Sequence, residues 1–451
     1  MLVKITPMQK LLQWIQKNWL WVAIVGFALS RLYIFSNPPP YVRYFEEYAN
    51  VWYYGMPPYL KHLFEYPPAT IPFISGPLWL DLAGVGKYRE NFRFMMLYVD
   101  VLMFAFVLAA LSKLRYSNGI KLLNVLFYLL MTTKAKDFMY ENLDMLFALS
   151  LFVPAVAPLL LERGQYVTQW LLYWFGVGIK LVNAPLGLLY FLGTKMSLVK
   201  KVALIGVMCL VIWGLPLAMY RSSLSVMLVY HKNRVIQVES FTALVIRGAN
   251  LFTKSEEIFF SEHKSFDMKG PISSALLPVA NGALVLSMLV LVIYILRHRD
   301  KAGDPVFMMK VTLIFIFSYF LTNKVFSTPY HLWYVPLLAV YPYRSMRERL
   351  FFFVTSGVYL TVAMSPLPSI EVFKGFFINT SLPVVTQIPA TLLLFVGAYR
   401  LAVPEKEKVE LVAPVIEKAA EQKEVSGAAA SAPSAKKKRV VSKKKVKKAK
   451  K

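Results

Sequence analysis

Cysteine is nearly missing from this chain: Cys209 is the single one in 451 residues. A disulfide framework and a cysteine-rich metal site are therefore excluded. Histidine is scarce, with five scattered residues and no pair at the helical spacing of a metal motif. Charge is thin at 17%, and acid is the rarer sign, with 25 Asp and Glu against 51 Lys and Arg. No repeat of fixed period and no strand-rich region is visible. No small-residue cleavage site follows the first apolar run, so that run reads as a retained first span.

Apolar residues are what the chain has in quantity, at 57%. They fall in runs near 18–36, 93–112, 120–133, 145–161, 167–179, 181–193, 202–220, 274–296, 308–323, 331–343, 350–366 and 384–402. Such runs predict an all-α, polytopic helical membrane protein with about twelve transmembrane helices. The segments 120–133, 167–179, 181–193 and 331–343 are short for a bilayer core of about 30 Å. Short, Gly- or Pro-broken runs belong among other helices or beside a cavity.

Loop charges give an orientation. With the N-terminus inside, one side collects Lys113, Arg115, Lys121, Lys195, Lys200, Lys201, Arg297, Arg299, Lys301, Arg344, Arg347 and Arg349. The other side receives the long loops 37–92, 221–273 and 367–383. Both termini are then cytoplasmic, in a multi-pass cell-membrane protein. Residues 1–403 form the membrane domain and 404–451 a disordered basic cytoplasmic tail. The last sixteen residues hold eleven Lys and Arg and leave +15 of the formal +26 for the rest. In a many-pass protein this block suits anionic lipid headgroups, or simply a cytosolic tail, better than nucleic acid. Asn379-Thr380-Ser381 is a sequon on the expected outer face.

The first outward loop is unusual. "YVRYFEEYANVWYYGMPPYLKHLFEYPP" (41–68) combines tyrosines, prolines and three glutamates. Interface belts account for aromatics such as Tyr59, but a carboxylate beside a bilayer is costly unless solvated or paired. The stretch after it, "PPATIPFISGPLWLDLAGVG", is split by Pro67, Pro68, Pro72, Gly76 and Pro77, and reads as a re-entrant or interfacial element.

This loop resembles the first luminal loop of the GT-C superfamily of integral-membrane glycosyltransferases, most closely the polyprenol-phosphate-mannose-dependent type. "ENLDMLFALSLFVPA" (141–155), "GIKLVNAPLGLLYFL" (178–192), "YHKNRVIQVES" (230–240) and "NKVFSTPYHLWYVPLL" (323–338) resemble later family segments in the same order. The resemblance implies inverting transfer of a hexosyl group, mannosyl first, from a polyprenyl-phosphate donor to a lipid or glycan acceptor at the extracytoplasmic face. The family's usual acid falls near Tyr41 or Val42, where none stands, so Glu46 or Glu47, with Glu65 behind them, is the expected catalytic carboxylate. Arg234 and Lys324, then Arg43, Lys180 and His231, are the expected phosphate cations. Gln237, Glu239 and Asp144 join the expected substrate site, as do the aromatics Tyr59, Tyr330 and Trp333. No metal ligands are assigned; a divalent cation stays open, because superfamily members differ. The alternatives are a secondary transporter and a catalytically inactive GT-C relative.

Overall fold

The computed structural model describes residues 7–41, 43–59, 64–220, 224–363 and 382–402. The expected tail, the sequon and most of loop 367–383 lie outside these. Contacts gather the described residues into one compact unit.

The chain is mostly helical. It opens with α1 (Pro7–Lys17), α2 (Trp19–Ser36), α3 (Tyr44–Tyr53) and α4 (Ile71–Leu82). Then come α5 (Tyr88–Lys113), α6 (Asn118–Lys134), α7 (Lys136–Met139), α8 (Asp144–Leu160), α9 (Gln165–Val177) and α10 (Leu186–Gly193). α11 (Leu198–Tyr220), α12 (Ser225–Asn233) and α13 (Phe241–Thr253) follow. The last are α14 (Pro271–Arg297), α15 (Pro305–Thr322), α16 (Val335–Val340), α17 (Met346–Ala363) and α18 (Leu382–Ala402).

Five of these, α2, α5, α11, α14 and α15, are long and apolar enough to cross a bilayer. Among the described residues, length and apolarity together thus support five of the expected twelve or so crossings. Runs 350–366 and 384–402 also gave helices of 18 and 21 residues, α17 and α18; the other runs became shorter helices, and two of these are deeply enclosed. α8 is buried from Asp144 to Ala157, and every residue of α16 is buried. α11, by contrast, buries none of its residues. Run 71–82, expected to lie short of a span, is a 12-residue helix with Pro77 inside it.

The all-α expectation needs one amendment. β1 (Ile236–Gln237), β2 (Glu257–Phe260) and β3 (Phe266–Lys269) form a small antiparallel sheet in the order β1-β3-β2, with Gln237 opposite Asp267. The sheet is tied to α14 through Glu256. Gly270, at the start of that helix, has no side chain to cap it. The Glu256 carboxylate instead accepts from Ile272 N at 2.7 Å and Ser273 N at 3.2 Å, an acid at a helix N-terminus.

α2 and α5 run antiparallel: Phe27 stacks on Phe104, Arg31 meets Asp100, and Arg93 donates to Ile34 O. Asp100 is fully buried and accepts Arg31 Nε at 2.6 Å, Arg31 Nη2 at 3.0 Å, Tyr128 OH at 2.8 Å and Tyr140 OH at 2.7 Å. A buried carboxylate persists only when paired and hydrogen-bonded in this way. Basic loops gather at one end of the bundle. Arg299 and Lys301 precede α15 and Lys324 follows it, so the 18-residue helix separates them by about 27 Å.

Candidate functional site

At the Lys324 end of α15 lies a cavity of about 570 Å³, within the range of small-molecule and cofactor sites. Three backbone ties assemble it. Tyr59 takes a left-handed backbone, φ 64°, and donates its hydroxyl to Tyr66 O at 2.7 Å. The chain then enters extended Pro67, which presents Glu65 to the cavity. Ala69 N donates to Gly178 O at 2.9 Å, and a Cβ on Gly178 would stand 2.6 Å from the Ala69 Cβ. Glycine at 178 thus lets the Glu65 wall approach the Lys180 wall. The third tie is Gln237 N to Lys324 O, 3.0 Å, which sets β1 beside the end of α15.

Two carboxylates line the cavity, each held by a cation. Glu65 Oε2 accepts Arg234 Nη1 at 3.2 Å, and Oε1 accepts Tyr44 OH at 3.2 Å. Burial works to raise this carboxyl, but Arg234, then His231 and Lys180, outweigh it and hold it below its ordinary range. Arg234 also donates to Gln237 Oε1 at 3.1 Å and Ser265 Oγ at 3.2 Å, and Ser265 in turn donates to Asp267. Asp144 opens α8. Its Oδ1 accepts both Lys180 Nζ at 2.9 Å and Trp333 Nε1 at 2.8 Å. Its other oxygen makes no hydrogen bond among the described residues.

Lys324 differs from the other cations. It is 8% exposed and lines the cavity, yet its ammonium has no carboxylate among the described residues. Burial lowers its pKa, and Arg234 nearby lowers it further. A buried cation of this kind is costly at rest and favourable only once an anion arrives. Away from these charges the wall is mostly apolar. Leu284 and Met288 line it from one face of α14, with the polar Asn281 on the same helix, and Leu228 from α12. From Asn281 to Met288 that face runs about 10 Å along a candidate span.

The structure brings together Glu65, Asp144, Lys180, His231, Arg234, Lys324 and Tyr330 around the cavity. Gln237 and Trp333 stand directly behind, holding Arg234 and Asp144. The remaining candidates fall elsewhere. Glu46 does not line the cavity and accepts Tyr41 OH at 2.8 Å. Glu47 is solvent-exposed and pairs with Lys264 at 3.3 Å. Arg43 is 73% exposed, 3.9 Å from Glu46. Tyr59 is buried in its bond to Tyr66. Glu239 is also outside the lining, and burial pushes its carboxyl up to about 7. The expected sugar platform is filled from within: Trp333 stacks on Tyr330 at 4.2 Å, and Lys180 Nζ lies 4.2 Å from the centre of the same ring. Sequence reasoning missed Lys232, Asn142, Asn281 and Asn323 in the lining, and Ser265 behind Arg234. Lys232 had a signal in its neighbour His231; Ser265 had none.

Compared with family models, with curated proteins and with solved structures, the chain matches none. Among the described residues no three His, Cys, Asp or Glu side chains converge as metal ligands. The cations beside Glu65 and Asp144 are Arg234 and Lys180.

Proposed function

We propose that this protein is a membrane glycosyltransferase of the GT-C type. It moves a hexosyl group, mannosyl first, from a polyprenyl-phosphate donor to a hydroxyl of a lipid or glycan acceptor, with inversion. The observation that carries this reading is Lys324, a buried cation with no carboxylate among the described residues, in a cavity whose mostly apolar wall includes one face of α14, a candidate span. That combination suits a phosphate attached to a long apolar chain.

The charges fit the reaction. Lys180, Lys232, Arg234 and Lys324 stand against Glu65 and Asp144, a surplus of two positive charges. The intact donor is a phosphodiester with one negative charge. When the acceptor oxygen bonds to the anomeric carbon, the bond from that carbon to the phosphate oxygen breaks, and the lipid leaves as a phosphomonoester. A site richer in cations than the donor needs favours the state with charge developing on the leaving oxygen. The acceptor proton goes to a carboxylate. Both Glu65 oxygens already accept hydrogen bonds, whereas Asp144 Oδ2 is open, so Asp144 takes the proton and Glu65 anchors Arg234.

Purified protein in vesicles, given radiolabelled polyprenyl-phosphate sugars and a panel of lipid acceptors, tests the proposal. The expected result is a labelled product with inverted anomeric configuration. Folded protein that transfers no sugar but moves solute along an ion gradient would replace this reading with a transporter.

A further inference from the structure

α1 carries a face that the described residues do not cover. At 100° per residue, Met8, Leu11, Leu12, Trp14 and Ile15 fall in an arc of roughly 160°, with Lys10, Gln13 and Lys17 opposite. Met8 is 65% exposed, Leu11 52%, Leu12 50% and Trp14 59%. An apolar face of this width left against water is unfavourable, so something beyond the described residues covers it.

The surroundings say what. One residue, Asn18, separates α1 from α2, a candidate span; its ψ of 27° leaves the helical range and marks a break between the two. The Gln16 side chain lies 3.3 Å from where a Cβ on Gly119, at the start of α6, would stand, and Lys121 Nζ lies over the Trp19 ring at 5.2 Å. α1 therefore meets the bundle at its basic end. Residues 7–36 and 113–136 contain no Asp or Glu, while Lys10, Lys17, Lys113, Arg115 and Lys121 all lie within them. A second copy presenting the same charge would be repelled there.

We infer that α1 is an interfacial anchor, with its apolar face in the boundary between headgroups and acyl chains of an anionic phospholipid layer. Its lysine face points to the headgroups. This places the basic end of the bundle at a lipid surface and stands whether or not the cavity transfers sugar.

The test uses the full chain in vesicles, in a Cys209→Ala background, with a spin label at Leu12→Cys or at Gln13→Cys. In phosphatidylglycerol-containing vesicles the Leu12 label should lie about 5–10 Å below the phosphates. The adjacent Gln13 label should remain open to a water-soluble relaxing agent. Lys10→Glu combined with Lys17→Glu should raise the Leu12 label toward water in those vesicles. Equal water access for the two labels overturns the proposal, as does equal burial of both. Spin–spin broadening at Leu12 also overturns it, because a second copy would then be the cover.

Discussion

Replacing Lys324 by methionine separates the two things a buried cation can do. Methionine keeps most of the length and removes the charge. In the resting protein Lys324 has no carboxylate among the described residues and lies beside Arg234, so its loss removes a repulsion and a desolvation penalty. Thermal stability should hold or rise. Binding of a lipid phosphate should fall, because one contact to a charged acceptor is worth about 1.5–3 kcal/mol, which is roughly a 10- to 150-fold weaker Kd. Arg234→Met is the control. It strips the buried Glu65 of its cation and leaves Gln237 and Ser265 without a donor, at a cost of about 3–5 kcal/mol in stability. The assay pairs thermal unfolding with titration of a short-chain polyprenyl phosphate into detergent-solubilised protein. The pH response adds a sign. The folded Lys324 releases its proton below the ordinary lysine value of about 10.4. Between those two points the unfolded chain binds more protons, so this residue makes stability rise with pH. Over the same window anion binding falls, and Lys324→Met should abolish both trends. The reasoning is refuted if Lys324→Met binds lipid phosphate as well as wild type, or if it lowers the melting temperature as far as Arg234→Met does.

Asp144→Asn should leave donor affinity within a few-fold and reduce turnover by about 10²–10⁴, read from single-turnover transfer; full activity would return the proton to Glu65. Glu46→Gln and Glu47→Gln, alone or together, should leave lipid-phosphate binding unchanged, because neither side chain reaches the cavity; a large loss in the same titration would put α3 back into the site. Asp100→Asn should destabilise the α2–α5 pair by about 3–5 kcal/mol, since it leaves the buried Arg31 uncompensated; a melting temperature equal to wild type would contradict the burial argument. Glu256→Ala should cost about 1–2 kcal/mol of unfolding free energy by uncapping α14.

Part of the candidate site was legible in sequence, where a charged residue sat at the end of an apolar run; Arg31 and Asp100, inside such runs, instead pair with each other away from the cavity. Asp144, Lys180 and Lys324 each adjoin such a run, where an unpaired charge is costly, and all three line the cavity. The three glutamates of the first loop could not be ranked in this way. Glu46, Glu47 and Glu65 share a polar, aromatic neighbourhood in the chain. What separates them is the left-handed turn at Tyr59 and the Pro67–Pro68 step, which carry Glu65 inward while Glu47 stays on the outer face of α3. The sheet escaped notice for a related reason. Its strands are two and four residues long, too short for alternation to register, and they exist only through pairing across the loop. Yet that pairing decides the electrostatics. It sets Gln237 against Asp267 and docks β1 on Lys324 O, so Arg234 arrives beside a second cation. Nearness of two cations in a half-buried site raises the energy of the empty protein and lowers that of the anion-bound one, and such a cost at rest is what a site built for a charged ligand should show.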